Sequence, residues 1–366
     1  MGMVASKKPS VSPSTEAQLE GLAKQLTNAK VQRVLIMAGA GISTSAGIPD
    51  FRSPVTGLYA SLAKYDLPYP EALFDIGFFR ENPQPFYTLY KELYPDGSRY
   101  KPTLTHCFFR LLEKKGKLLR VFTQNIDTLE LLGGLSPDML VEAHGSFAKA
   151  RCIECKTEVD DDWLKEKVMS GSVARCEQPK CQKKDQVPSI KPDIVFFGEN
   201  LPDRFFERLM DFRRAQVLLV MGTSLVVNPF ASLIDEVPLR CPRYLFNLDR
   251  VGESRSGGFL SRFDRLGGGG FDFNEDSRDV FCQGKVDDTI RVLAQKCGWE
   301  EELDSLYNEL HAQPAPESTN KESAKDSASS DADQSDGSSS GATDALAEQL
   351  QATKLDARTD AKSEKL

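Results

Sequence analysis

An α/β fold on a parallel sheet, with a smaller domain attached, follows from three observations. Short apolar runs such as Val34-Leu35-Ile36-Met37 recur along the chain, and each ends in small or polar residues. The first run empties into a glycine-rich turn, Gly39-Ala40-Gly41-Ile42-Ser43. Four cysteines form two close pairs, Cys152-x2-Cys155 and Cys176-x4-Cys181, with twenty residues between the pairs. The runs and the turn predict a Rossmann-like sheet domain, and the cysteines predict a zinc-binding module in the smaller one.

The chain's 366 residues, 40% of them hydrophobic, are enough for one large domain and a small one. With 46 Lys+Arg against 54 Asp+Glu, the net charge of −8 disfavours a protein that works by blanket phosphate neutralisation. No apolar stretch approaches the roughly 20 residues that span a bilayer. Residues 313–366 hold 11 acidic and 6 basic side chains, or −5, which leaves −3 for residues 1–312. This segment has no aromatic residue and is dominated by Ser, Asp, Ala, Lys and Glu, so it is expected to be a disordered acidic tail. At the other end, Met1-Gly2-Met3-Val4-Ala5-Ser6 followed by Lys7-Lys8 fits an N-myristoylation signal with a basic flank, which would give weak membrane association. The absence of an apolar signal or Arg-rich transit pattern places the expected site of action in the cytoplasm, with nuclear access.

Each element has its own chemistry. A buried strand followed by a glycine-rich turn lets backbone N–H groups approach a pyrophosphate at a helix N-terminus. Thr44 stands where the third glycine of the usual fingerprint would be, and no strand ending in an acidic residue follows about twenty positions on. A dinucleotide is therefore expected, while ordinary hydride-transfer geometry is not. Later runs end similarly. Leu118 to Phe122 leads into Thr123-Gln124-Asn125-Ile126-Asp127, and Met139 to Ala143 into His144-Gly145. Val217 to Met221 leads into Gly222-Thr223-Ser224, and Tyr244 to Phe246 into Asn247-Leu248-Asp249. In an open parallel sheet these ends line one crevice.

Cys152, Cys155, Cys176 and Cys181 suit tetrahedral Zn²⁺, and four thiolates leave no open position, so the metal is expected to be structural. Of the three histidines, His144 at a strand end is the candidate general base, whereas His106 opens an amphipathic helix and reads as structural.

Taken together, these motifs with Gly47-Ile48-Pro49-Asp50-Phe51-Arg52 and Lys191-Pro192-Asp193-Ile194-Val195-Phe196-Phe197-Gly198-Glu199 resemble the sirtuin family of NAD-dependent protein deacylases, collinearly over about residues 15–305. Leu67 to Ala72, the insertion Gly267 to Phe273 and the acidic serine-rich tail resemble the cytosolic sirtuin-two type most. The resemblance implies that an acyl-lysine oxygen displaces nicotinamide from NAD, which is consumed, and that His144 deprotonates a ribose hydroxyl. It implies a catalytic role for Asn125 beside His144. Ala40, Gly41, Ile42, Ser43, Thr44, Asp50, Phe51, Arg52, Gln124, Asn125, Ile126, Asp127, Gly222, Thr223, Ser224, Asn247 and Asp249 are then expected on the cofactor. Val195, Phe196, Phe197, Gly198, Glu199, Phe74, Phe86 and Leu93 are expected on the acylated peptide, with histone tails and tubulin as implied partners. Tyr90 departs from the small residue usual in deacetylase-type members; with Leu93 rather than Arg three positions on, it is expected to narrow the acyl tunnel without creating a carboxylate site. A mono-ADP-ribosyltransferase on the same fold is the alternative.

The expected division is a flexible 1–14; a Rossmann-like domain of 15–52, 103–147 and 190–305; a helical module with the cofactor loop, 53–102; a zinc module, 148–189; and the tail, 313–366.

Overall fold

A computed structural model describes residues 11–50, 67–93, 99–253, 269–274 and 276–312. The Gly2 acylation signal, Phe51, Arg52, Gly267, Gly268 and the tail lie outside the described residues, and of Leu93 only the backbone is described.

Six strands form one parallel sheet: β1 (Val34–Ala38), β2 (Leu118–Thr123), β3 (Leu140–Glu142), β6 (Val217–Met221), β7 (Arg243–Asn247) and β8 (Asp279–Gln283). Their order is β3-β2-β1-β6-β7-β8, which is the 3-2-1-4-5-6 order of dinucleotide-binding sheets. Every neighbour pair is parallel, and Ile36 lies beside Val121 on one side and Leu219 on the other. Both faces are covered, which is why β1 is apolar throughout rather than alternating. Val34, Ile36 and Ala38 pack into one core with the helices Pro13–Thr27, Leu104–Lys114, Val286–Cys297 and Glu300–Ala312. Leu35 and Met37 pack into the opposite core with Phe122, Phe205, Phe212 and Phe230. Truncating a core residue such as Ile36 to Ala would cost about 2–5 kcal/mol.

Local sequence sets the helices. Ser12 caps the first, accepting from Thr15 N at 3.1 Å, with Pro13 at its first position, and Leu19, Leu22, Ala23 and Leu26 form its buried stripe. The helix Leu104–Lys114 starts at Thr103, whose backbone N–H donates to His106 Nδ1 at 3.1 Å.

A second, two-stranded antiparallel sheet is made by β4 (Gly145–Cys152) and β5 (Ile190–Ile194). Its core gathers Cys152, Ile153, Leu164, Val168, Cys176, Cys181 and Ile190 with Phe79, Phe86, Tyr87, Tyr90, Phe147 and Phe196. Strand β8 has no counterpart in the sequence expectations. It opens on Asp279, whose carboxylate is buried against Arg243, with Oδ1 2.6 Å from Nε. No local pattern reveals that neutralisation. The described residues include no helix long and apolar enough to cross a membrane.

Candidate active site

The sheet reverses its winding between β1 and β6, and there the chain makes its closest turns. Gly41 N donates to Gly222 O at 2.8 Å, and a Cβ on Gly41 would lie 2.6 Å from Gly222 Cα. A Cβ on Gly39 would lie 2.8 Å from Thr223 Cβ, and Gly222, at φ +59°, would clash back onto Gly41. These glycines thus serve backbone-to-backbone contact between two strand ends. The Gly41 N–H is thus engaged within the protein. Beyond it, short 3₁₀ turns at Ala40–Ile42 and Thr44–Ala46 bury Ile42 and Ser43 and expose Thr44.

Ser43 draws the expected residues together. Its hydroxyl donates to Asp127 Oδ2 at 2.6 Å and accepts from Asn125 Nδ2 at 3.3 Å; the same amide reaches Gly39 O at 3.3 Å. Asp127 Oδ1 accepts from Leu129 N at 3.0 Å. Burial holds the Asp127 carboxyl above its usual range, opposed by the bonds from Ser43 and Leu129 N. Gln124 Nε2 donates to Thr223 Oγ1 at 2.7 Å, and Asn247 Nδ2 to Thr223 O at 3.3 Å, so the ends of β2, β6 and β7 are tied in series. Ser224 and Asp249 lie exposed at the outer end of this row, and Asp50 ends the described stretch before the cofactor loop.

His144 joins the cluster through its ring. Nδ1 lies 3.1 Å from Gln124 O. A carbonyl can only accept, so Nδ1 carries the proton and Nε2 keeps its lone pair. Burial also lowers the imidazole pKa below 6.5, against the raising effect of the Gln124 bond, which favours the neutral ring. An unprotonated Nε2 can accept a proton from a hydroxyl.

The next segment begins on His144 itself, whose carbonyl accepts from Val195 N at 2.8 Å. Phe196 is buried against Phe74, Phe79 and Phe86, with ring centroids 5.8, 5.4 and 5.1 Å away. Phe197 points outward at 44% exposure, while its backbone pairs with Phe74 O and Ile76 N. The apolar wall expected from three consecutive residues is therefore split. Gly198, at φ +89°, and Glu199 turn the chain, and Glu199 Oε2 caps Phe196 N at 2.9 Å and pairs with buried Lys191 at 3.0 Å. Tyr90 is 1% exposed and stacks on Phe147 at 5.1 Å, so it faces the aromatic core rather than solvent. Half-buried Ile126 packs against this same core.

The four cysteines also converge. Cys152 Sγ lies 3.9 Å from Cys181 Sγ, and Cys155 Sγ 3.7 Å from Cys176 Sγ, with all four within 4.8 Å of one another. Tetrahedral Zn–S bonds of about 2.3 Å put sulfurs about 3.8 Å apart, so the set fits one structural zinc. The other four cysteines are buried and unbridged; burial raises Cys107, Cys282 and Cys297 to about 12 and Cys241 to about 11, so they are core thiols.

Sequence reasoning missed Glu130 and Glu142, which stand behind Asp127. Both carboxyls are raised chiefly by burial, Glu130 to about 8. The signal for Glu130 was its position three residues after Asp127.

A sequence model described as the Sir2 family matches residues 39–229. The chain is 46% identical over 302 residues to the NAD-dependent protein deacetylase sirtuin-2 of Danio rerio, covering 81% of this chain and 76% of that protein. It is 50% identical over 306 residues to NAD-dependent protein deacetylase hst2-1 of Emericella nidulans, covering 84% and 76% respectively. Over 291 residues it is 44% identical to NAD-dependent protein deacetylase hst2 of Schizosaccharomyces pombe, covering 79% of each chain.

Proposed function

The chain belongs to the Sir2 family, and from that premise we propose that it removes acyl groups from protein lysines, consuming NAD and releasing nicotinamide. NAD-dependent protein deacetylase activity is what the relatives' names state, and it is the coarse form of this reading. The observation that carries it for this chain is the hydrogen-bonded group Ser43, Asn125 and Asp127 at the carboxyl ends of β1 and β2, with His144 held at the neighbouring strand end by Gln124 O and its Nε2 unprotonated.

In this reading NAD supplies the electrophilic ribose carbon, and the chain's residues bind, orient and move protons. Asn125, Ser43 and Asp127 would hold the ribose and the nicotinamide amide, the fixed hydrogen bonds among them setting their directions before NAD binds. His144 Nε2 would take the ribose hydroxyl proton, while Gln124 O keeps the other nitrogen protonated. Thr223, Gln124 and Asn247 would shape the adenosine side, with Ser224 and Asp249 at its rim.

Val195 to Glu199 would receive the peptide. The turn at Gly198 to Asn200 would offer backbone groups to an added strand, and Phe74, Phe86, Phe196 and Phe147 would wall the acyl chain. Tyr90 on Phe147 would set the depth of that site. Histone tails and tubulin, the cytoplasm with nuclear access, weak membrane association through Gly2 and the division into sheet domain, helical module and zinc module are parts of the same proposal. Eight unbridged cysteines accord with a reducing compartment.

Incubation with NAD and an acetyl-lysine peptide tests the reading. Peptide-dependent nicotinamide release with loss of the acetyl group supports it. Label from NAD accumulating on protein, with the acetyl group retained, would replace it with ribosyl transfer.

A further inference from the structure

Behind Asp127 the protein closes on itself around a small polar gap. His106 comes from the helix Leu104–Lys114 and Glu130 from the short helix Leu129–Leu132. Both are buried, at 0% and 1% exposure. A ligating atom of each lies within 4.8 Å of the other and of an Asp127 carboxylate oxygen. Among the described residues, His106 Nε2 and Glu130 Oε1 have no hydrogen-bond partner. Two buried polar atoms without partners would cost about 1–3 kcal/mol each if left so.

The tautomer decides what fills the gap. Thr103 N can only donate, and it donates to His106 Nδ1 at 3.1 Å. Nδ1 is therefore the acceptor, and in the neutral ring Nε2 carries the hydrogen. Burial pushes the His106 pKa down to about 3, so the ring is neutral at working pH. A protonated Nε2 is a donor, and a donor does not ligate a cation. The gap thus presents the His106 N–H donor, the Asp127 carboxylate as acceptor, and the Glu130 carboxyl, which burial raises to about 8 and which in its protonated form both donates and accepts. A water molecule, with two lone pairs and two hydrogens, complements that set with Glu130 as donor or as acceptor, and three bonds is the usual count for a buried water.

We propose that a single structural water bridges His106 Nε2, Glu130 Oε1 and the Asp127 carboxylate, and that through it His106 and Glu130 are positioning residues for the Asp127–Ser43–Asn125 group. The consequence for NAD rests on the function proposed above; the water itself does not. The same histidine is anchored on its other side through Thr103, whose N–H donates to Nδ1 at 3.1 Å and whose hydroxyl donates to Ile42 O at 3.0 Å. His106 therefore reaches both halves of the candidate site: the turn that carries Ser43 and, through the water, the carboxylate that Ser43 binds.

Two measurements test this on the full chain. A crystal structure at about 1.2 Å or better should place one water about 2.7–3.2 Å from each of the three atoms. A dry gap, a metal ion there, or a direct Nε2–Glu130 bond would overturn the proposal. NAD and peptide affinities of Glu130→Leu and Glu130→Gln are then compared with the wild type, with thermal melting as a check on folding. Leu removes the acceptor and dries the gap, so NAD affinity should fall about tenfold with peptide affinity unchanged, whereas Gln keeps an acceptor oxygen and should stay within about threefold. Equal loss of peptide and NAD affinity in Glu130→Leu, or NAD binding by Glu130→Leu equal to wild type, would remove the positioning role. Failure of the wild type to bind NAD would sink the function while leaving the bridging water to be judged by the diffraction result.

Discussion

Replacing Glu130 by Gln should expose a pH dependence that the intact protein hides. Burial, with the Asp127 and Glu142 charges, pushes the Glu130 carboxyl up from 4.5 to about 8, and burial pushes the His106 imidazole down from 6.5 to about 3. A raised carboxyl contributes stability that is complete below pH 4.5 and is lost as pH rises towards 8. A lowered imidazole contributes stability that is complete above pH 6.5 and is lost as pH falls towards 3. Between pH 6.5 and 4.5 the two run in opposite directions, each at about 1.36 kcal/mol per pH unit, so their sum is flat. Gln does not titrate. Across those two pH units Glu130→Gln should therefore lose stability relative to the wild type as pH falls, by on the order of 1–3 kcal/mol. Urea unfolding of both proteins at pH 6.5, 5.5 and 4.5 measures it. A difference in unfolding free energy that stays constant with pH to within about 0.5 kcal/mol would refute the opposed linkages.

Other consequences concern the metal, the acyl site and the base. Metal analysis should find one zinc per chain, and Cys176→Ala should lose it and open the segment 145–194 to protease, because the two-stranded sheet shares its core with the thiolates. Retention of zinc by that variant would refute the four-thiolate site. Tyr90→Ala should cost about 3–5 kcal/mol of stability and raise turnover of long-chain acyl peptides relative to acetyl peptides, with desuccinylation staying low; an unchanged chain-length profile would take Tyr90 out of the acyl site. The acid limb of kcat/KM should lie below pH 6.5, because burial lowers the His144 pKa and only the neutral ring accepts a proton. A limb above pH 6.5 would contradict this.

Much of the sheet was legible because strands buried on both faces are apolar throughout, as in Val34–Ala38 and Val217–Met221. The polar residues at their carboxyl ends were legible because a parallel sheet brings such ends to one edge. The cysteine spacings spoke for themselves, since short-range geometry governs a tetrahedral site. What stayed hidden depends on pairs far apart in sequence. Asp279 reads as a loop residue until Arg243 neutralises it 36 positions away. Glu130 reads as a solvated helix residue until the fold seals it beside His106 and Asp127. The glycine turn carried the right signal for close approach, yet one of its partners, Gly222, lies on another strand end. Phe196 and Phe197 differ in burial because strand-like neighbours point to opposite sides, a distinction residue type alone does not make.

The central claim is that this switch-point cluster turns over NAD only when an acylated lysine is bound, with His144 as the base. Nicotinamide release by the full chain, measured with NAD alone, with NAD and an acetyl-lysine peptide, and with the same pair for His144→Ala, tests it most directly. The account predicts release only in the second case, in step with loss of the acetyl group, and a His144→Ala protein that melts as the wild type does. Peptide-independent release by the wild type, or full turnover by His144→Ala, would contradict it.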